Sequence, residues 1–582
     1  MRALSTITGL SMLCAVGTAQ SISRLSTAIH TGANSAGAIA VAYSPDGTHV
    51  AFQSRAAQLV PGDSNATVDV FVLELASGVI ERASVGAGGS QSSLGGYEPS
   101  VSDGGRFVAF SSNSSNLVAW DSNLAADVFV RDRLAGTTEL VSVSSAGVLG
   151  QSHSRAPSIS ADGRFVAFTS QSSNLVPGAG GGQVFMRDRA LAITRVVSVT
   201  SSGEIAEFGA FGPALSADGR FVAFYSASTN LTPGDNLPAN GGNGWDVFVH
   251  ELASGATQLV SATPSGGYPN SSARSPSISA DGRYVAFESG ASDLAPGGDA
   301  PNGDVFVRDL VLQQTVCVSA ATLGGSAGGA SHASISADGR RVAFEANRTG
   351  FTAQWISNSF TNVYRHDLDS GVTELASAST CGVAGSGFSS GGYWSSLAPA
   401  ISPDGARVAF ASYATTLVEH DLENAVDLYL RDFALASSGP ACRFCRAALT
   451  TNGCTPLIEG VGTPSASSGS GFIISVANTE GQRVGRAFFN LGAGSVAPWA
   501  PGNTSYLCME SAGRLPVQNS SGAQGACDGF YAWDWNAHLA ANPTLAATYS
   551  VGRPVFVQAW FRDAGAPTGS NLSAGLQFPM GP

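Results

Sequence analysis

The chain contains no lysine; its 29 basic residues are all arginine, set against 42 acidic ones for a net charge of -13. The missing lysine is a compositional bias with no chemistry attached. The shortage of base has a consequence, because nothing here can neutralise a run of phosphates, and a nucleic-acid partner is excluded. Charge of either sign is scarce, at 12%, while hydrophobic residues make up 43%. That balance excludes wholesale disorder and allows a packed core. No segment approaches the ~20 consecutive apolar residues that a membrane-spanning helix requires. The eight histidines form no His-Glu-x-x-His pair, and there is no phosphate loop or dinucleotide fingerprint. A single G-x-S-x-G match, Gly387-Phe388-Ser389-Ser390-Gly391, has no strand-to-helix elbow around it. A chain this rich in Gly and Ser yields about one such match by chance, so a hydrolase nucleophile is set aside.

The amino terminus is unlike the rest. Met1 and Arg2 precede a mostly apolar or small stretch, residues 3–16, and then Gly17-Thr18-Ala19. This has the form of a secretory signal peptide over residues 1–19, cleaved before Gln20. Cys14 follows Leu13 where a lipoprotein site needs a small residue, so lipidation is not expected. The expected location is secreted, periplasmic or at the cell surface.

A repeat dominates the greater part of the mature chain. A Val-Ala-Phe core recurs at Val50, Val108, Val166, Val222, Val285, Val342 and Val408, and each copy is preceded by a glycine: Gly47, Gly105, Gly163, Gly219, Gly282, Gly339 and Gly405. In six copies an aspartate comes directly before that glycine, as in Asp162-Gly163; copy two reads Asp103-Gly104-Gly105. Gly accepts positive φ and Asp bonds its own backbone, so the pair closes a tight turn between two strands. A third strand follows a Gly/Pro/Asn loop, as in Asp127-Val128-Phe129-Val130, and a fourth follows a polar bend, as in Glu139-Leu140-Val141. Four antiparallel strands per copy, repeated radially, make a propeller. Copy seven lacks a fourth strand, and Ser23-Arg24-Leu25-Ser26-Thr27-Ala28 aligns with the fourth-strand segment Thr138-Glu139-Leu140-Val141-Ser142-Val143. The first strand of the mature chain is therefore expected to complete the last blade. The fold expected is all-β: a seven-bladed β-propeller over residues 20–436, closed by the N-terminal strand and followed by a small β-sandwich. The Asp-Gly turn and Val-Ala-Phe strand resemble the repeat of TolB-type propellers, relatives of the WD-type repeats. That resemblance implies the propeller fold and, most often, a protein-interaction platform, though such propellers also occur in enzymes.

The loops between strands two and three carry a second pattern. Asp63, Asn65 and Asp69 share the D-x-N-x-x-x-D spacing with Asp121, Asn123 and Asp127, and copy seven has Asp421, Glu423 and Asp427. Copies four and five keep Asp235 with Asp246 and Asp299 with Asp304 at altered spacing. Oxygen ligands two residues apart, with a later carboxylate, are what a calcium loop uses. The competing reading, preferred here, is a turn held through Asp and Asn side chains. Calcium is the cofactor that these loops raise.

After Pro440 the repeat stops. Residues 441–582 hold Cys442, Cys445, Cys454, Cys508 and Cys527, with Trp499, Trp533, Trp535 and Trp560 among short β-like runs. This reads as the sandwich domain. Cys508…Cys527-Asp528-Gly529, Trp560-Phe561-Arg562-Asp563 and Ser570-Asn571-Leu572 are similar to a C-terminal module of other exported bacterial proteins, one that implies no activity. Exported cysteines usually pair; Cys508 with Cys527 is the first choice, and Cys442 or Cys445 with Cys454 the second. Zinc held by Cys442, Cys445 and Cys454 is disfavoured for want of a fourth ligand. Trp533 and Trp535, two apart, are expected to send one strand face into the core, in preference to stacking on sugar rings. Cys317 aligns with Leu140 and is expected as a buried free thiol.

Two functions are compatible with these features. One is a non-catalytic exported platform, monomeric, that binds a protein or a cell-surface glycan. The other is a glycan-active enzyme, such as a polysaccharide lyase, with a metal-assisted site at the propeller pore. The repeats match well and no copy stands out by a cluster of His, Asp or Glu, which favours the platform. His153 and His332, at similar places before strand one, are given no special role.

Overall fold

The computed structural model describes residues 20–25, 40–234, 244–298, 303–320, 328–347, 350–352, 361–379, 398–412, 414, 417–418, 426–436, 442–444, 456–462, 464–465, 467–479, 481–490, 497–498, 506–507, 513–521, 528–546, 554–562 and 570–580. The signal-peptide stretch, Asp235, Asp299, Asp421, Glu423, the Gly387–Gly391 match, and Cys14, Cys381, Cys445, Cys454, Cys508 and Cys527 lie outside the described residues.

Residues 20–436 form seven four-stranded antiparallel sheets, each a blade of a propeller. Blade 3 is typical: Ser154–Ile159, Phe165–Ser170, Gln183–Asp188 and Ile193–Val196 pair in sequence order. The second strand is sandwiched between neighbouring blades, so both faces are buried: Val166, Ala167 and Phe168 are each 0% exposed. This is why Val-Ala-Phe does not alternate with polar residues. Phe168 stacks on Phe185 of the third strand at 5.9 Å, and the same stacked pair recurs as Phe52–Phe71, Phe110–Phe129, Phe224–Phe248 and Phe287–Phe306.

The Asp-Gly turns join neighbouring blades as well as strands. Ser160 Oγ donates to Asp162 Oδ1 at 2.6 Å, and the Arg164 amide donates to the same oxygen at 2.9 Å. Gly163 sits at φ +70°, and a Cβ there would lie 2.1 Å from the Phe107 ring of blade 2. Positive φ and close approach together require glycine. The Arg106 and Arg189 guanidiniums each lie 4.6 Å from the centre of that ring. In copy two, Asp103–Gly105 forms a 3-10 turn instead.

The seventh blade consists of Ala400–Ile401, Arg407–Ser412, Asp427–Ala436 and the N-terminal strand Gln20–Arg24, which pairs antiparallel with Asp427–Ala436. The two ends of the ring are thus held in one sheet. The register differs by one residue from the alignment of Leu25 with Leu140. Arg24 lies opposite Tyr429, as Leu140 lies opposite Phe129, and the Leu25 amide bonds Leu428 as the Val141 amide bonds Val128. Apolar matching misled the alignment, because an arginine occupies this site for an electrostatic reason: Arg24 reaches buried Asp427 at 3.3 Å.

The C-terminal region holds two facing sheets. One contains Cys442–Phe444, Ser570–Pro579, Pro554–Arg562 and Val484–Asn490 in that order, with short pairings beyond; the other contains Leu457–Gly462, Phe472–Thr479 and Gly529–Asp534. Side chains from both sheets share one core, including Phe472, Ile474, Val557 and Phe578. Trp533 and Trp535 are both buried there, though only Trp533 is on a strand. Trp535 opens a short helix, Trp535–Ala540, capped by Asp534, whose side chain accepts from the Ala537 amide. Cys317 is buried, outside any disulfide, and faces Phe306 across the strand pair, with its Sγ 3.9 Å from Ser319 Oγ.

Candidate functional site

The first strands of all seven blades surround a central channel. At its Asp-Gly end lies a cavity of about 250 Å³, to which each blade contributes side chains. Its lining carries no charged residue. Three of its four serines hold blades together: Ser100 Oγ accepts from the Ile159 amide at 3.1 Å, Ser158 Oγ from Leu215 at 3.0 Å and Ser334 Oγ from Ile401 at 3.2 Å, while Ser44 Oγ donates to Asp46 in its own turn at 2.6 Å. The cavity lining offers no acid or base beyond the Tyr43 phenol, which burial pushes far above its ordinary range.

The opposite mouth, on the side of the long loops between strands two and three, is different. There the first strands of blades 2–6 carry a bulge whose central residue adopts positive φ: Glu98 (55°), Ala156 (52°), Gly212 (58°), Ser275 (53°) and His332 (54°). Register shifts between Arg155 and Ser158, and at the matching place in blades 2, 4, 5 and 6, mark the same bulge. A bulge frees one amide from the ladder and re-aims a side chain. Side chains from the preceding blade accept some of these amides: Glu98 N–H donates to Gln53 Oε1 at 3.0 Å, and His332 N–H to Glu288 Oε1 at 2.7 Å.

The residue after Val-Ala-Phe on strand two faces this mouth layer. It is Gln53, Ser111, Thr169, Tyr225, Glu288, Glu345 and Ala411 in blades 1–7. The departures from small or neutral residues fall in adjacent blades. In blade 4, Tyr225, Phe211 and Trp245 pack ring to ring at 5.4–6.0 Å. In blade 5, Arg274 lies opposite Glu288. In blade 6, His332 Nδ1 is 3.5 Å from Glu345 Oε2. The His332 side chain is 50% exposed and that of Glu345 only 1%. Neither Glu345 oxygen has a hydrogen-bond partner among the described residues. The Glu345 carboxylate holds the His332 imidazole above its ordinary value, and burial pushes the Glu288 carboxyl up.

This cluster corrects the sequence-based expectation that no copy stands out in His, Asp or Glu. The signal was present as two glutamates at one repeat position, Glu288 and Glu345, but the bulge that brings His332 beside them leaves no mark in the repeat alignment. His332 and His153 also prove inequivalent. His332 takes the bulge position held by Ala156 in blade 3, whereas His153 lies three residues earlier and its Nδ1 accepts from the Ala126 amide at 2.9 Å.

The candidate calcium loops are on the same side. In blade 1, Asp63, Asn65 and Asp69 come together. Asn65 Nδ2 donates to Asp69 Oδ2 (2.9 Å), Ser84 Oγ to Asp69 Oδ1 (2.5 Å) and Gln91 Nε2 to Asp63 Oδ1 (2.6 Å). The Arg82 guanidinium stands between the carboxylates, 3.2 Å from Asp63 and 3.9 Å from Asp69. Blade 2 repeats the set without the arginine. Asn123 and Ser142 donate to Asp127 at 2.7 and 2.5 Å, while Asp121 Oδ1 is buried without a hydrogen-bond partner among the described residues. Leu140 takes the place of Arg82, and burial then pushes Asp127 up to about 6. In blade 7, Arg24 stands beside Asp427; Asp421 and Glu423 are outside the described residues. Among the described residues no group of three His, Cys, Asp or Glu is arranged to hold a metal ion, and no helix is long and apolar enough to cross a membrane.

No family model matches the chain, and no characterised protein matches it in sequence. Solved propellers resemble it in fold. TolB from Acinetobacter baumannii matches with 15% identity over 58% of this chain and 62% of its own, at a TM-score of 0.32. An oligogalacturonate lyase from Vibrio parahaemolyticus matches with 11% identity over 71% and 93%, at 0.42. The propeller domain of the Trilobed protease from Pyrococcus furiosus, described as having open velcro topology, matches with 12% identity over 69% and 95%, at 0.39. The chain spans about three-fifths of the TolB structure. Enzymes are among these neighbours, and the likeness extends to the fold alone: by its own seven four-stranded sheets the chain is a β-propeller with a C-terminal sandwich.

Proposed function

We propose that this is a non-catalytic exported protein that binds a protein or other ligand at the cell envelope or outside the cell, and that it does so through the long-loop face. The observation that carries the reading is the run Phe211–Tyr225–Trp245, Arg274–Glu288 and His332–Glu345, gathered in three adjacent blades at one mouth of the channel. Elsewhere the repeat keeps that position neutral, and the other end of the channel is uncharged. Strained, non-glycine positive-φ residues cluster at functional sites more than elsewhere. Loops of this face also expose Leu94, Trp120, Leu124, Val148 and Phe208, apolar area of the kind that marks contact surfaces. The test is capture of the partner from the organism's own envelope fraction with the mature protein. Tyr225→Ala together with Glu288→Gln should lose the partner; a variant that retains it at full yield contradicts the reading.

A catalytic reading has one specific support: a histidine beside a buried carboxylate is a general-base arrangement. In it, His332 and Glu345 act on a glycan at the pore. Turnover of pectic or other acidic glycans that disappears in His332→Ala would establish it over the platform.

A further inference from the structure

Glu345 is a buried carboxylate with an unfilled hydrogen-bonding shell. Its side chain is 1% exposed, both oxygens lack hydrogen bonds among the described residues, and the imidazole 3.5 Å away offers at most one N–H. An ionised carboxylate accepts at about four lone-pair sites. Leaving such a group buried and unsatisfied costs stability, and proteins retain that cost where function needs it. Next to it, Glu288 has one oxygen bonded by the His332 amide. Trp245, Tyr225 and Phe211, each partly exposed, form an apolar wall two blades away. The cations at this mouth are half-exposed His332, exposed Arg274 and, at the same first-strand position in blade 3, exposed Arg155. We propose, building on the platform reading, that this mouth receives the guanidinium or ammonium group of a basic peptide side chain. Glu345 is its buried counter-charge and Glu288 flanks it from blade 5. A guanidinium supplies the paired N–H donors that the carboxylate lacks. The net charge of -13 favours the approach of a basic partner.

The test uses the full mature chain and calorimetric titration with three probes: a short Gly-Arg-Gly peptide, the same peptide with neutral citrulline for arginine, and agmatine. The arginine peptide should bind, with the citrulline peptide weaker by about 10-fold or more, as expected for loss of a charge-assisted pair. Glu345→Gln should weaken binding by a similar factor yet melt no lower than the parent, because it relieves an unsatisfied buried charge. Glu139→Gln, a control whose carboxylate pairs with Arg189 instead, should leave binding unchanged. Agmatine binding as tightly as the peptide keeps the cationic class and makes a free amine its source. Equal binding of the arginine and citrulline peptides, no binding of any probe, or undiminished binding by Glu345→Gln overturns the proposal. Any of these leaves the platform reading to its own capture test.

Discussion

Blade 2 offers a prediction in which the repeat supplies its own control. Asp127 is fully buried, accepts from Ser142 and Asn123, and has Leu140 where blade 1 has Arg82. Burial raises its pKa from 3.8 to about 6, with Asp121 adding to the rise. The folded state therefore binds a proton that the unfolded chain releases between those values. Linkage gives the sign: the Asp127 contribution is fully present below pH 3.8 and is lost as pH rises through about 6. A shift of this size corresponds to roughly 3 kcal/mol. The loss runs from pH 3.8 to a little above 6; Asp309, held near 2 by its ion pair with Arg283, contributes nothing there, and comparison with Asp127→Asn separates the site from Asp69, Asp121 and Glu288, which burial also raises. Urea denaturation at half-unit steps from pH 4 to 7.5 would measure it. Asp127→Asn can shift overall stability either way, since its amide meets the Asn123 amide, but its slope with pH should be flatter than the parent's. The analogous site in blade 6 is already Asn362, which accepts from Ser377 at 3.0 Å. Parallel slopes for parent and variant would refute the reasoning.

Three further outcomes are expected. Because protein donors occupy the Asp and Asn oxygens of the blade 1 loop and Arg82 supplies its cation, millimolar calcium should move the melting temperature by less than about 1 °C; a larger shift with measurable heat would restore the metal reading. Gly163→Ala should cost about 2–4 kcal/mol, from positive φ plus overlap with the Phe107 ring, whereas Gly78→Ala, at the same φ but in open space, should cost about 1; equal costs in denaturant melts would mean that the turn is not docked under its neighbour. Arg24→Ala should destabilise by roughly 1–3 kcal/mol through loss of the ion pair with buried Asp427, and most of that cost should disappear when the same substitution is made in an Asp427→Asn background, as measured by denaturant melts.

Much of the fold was legible because its causes are local and repeated. Asp-Gly turns, the two-faced burial of Val-Ala-Phe and the missing seventh fourth strand each leave a mark on the chain. The register of the closing strand was less legible, because Arg24 is placed by the charge of Asp427, which lies 403 residues away. Periodicity puts Trp535 on a strand with Trp533, since it says nothing of Asp534, whose side chain caps a helix at that point. The mouth cluster is hidden for a similar reason. Glu288 and Glu345 can be seen as departures from a repeat position, but His332 reaches them only through a positive-φ bulge, and the aromatic group in blade 4 joins residues 34 apart in sequence, Phe211 and Trp245. The Asp-Asn spacing was visible, while Arg82, which answers the charge of that loop in blade 1, comes from the next strand.

Everything placed at the channel mouth depends on a closed ring, and the decisive measurement is the thermal melt of a chain lacking residues 20–31. The deletion removes the pairing of Gln20–Arg24 with Asp427–Ala436, the burial of Ile22 and the Arg24–Asp427 pair. Together these should cost roughly 4–6 kcal/mol and split or broaden the propeller transition. Melting at the parent temperature, in one equally sharp step, would mean that the ring does not close as described.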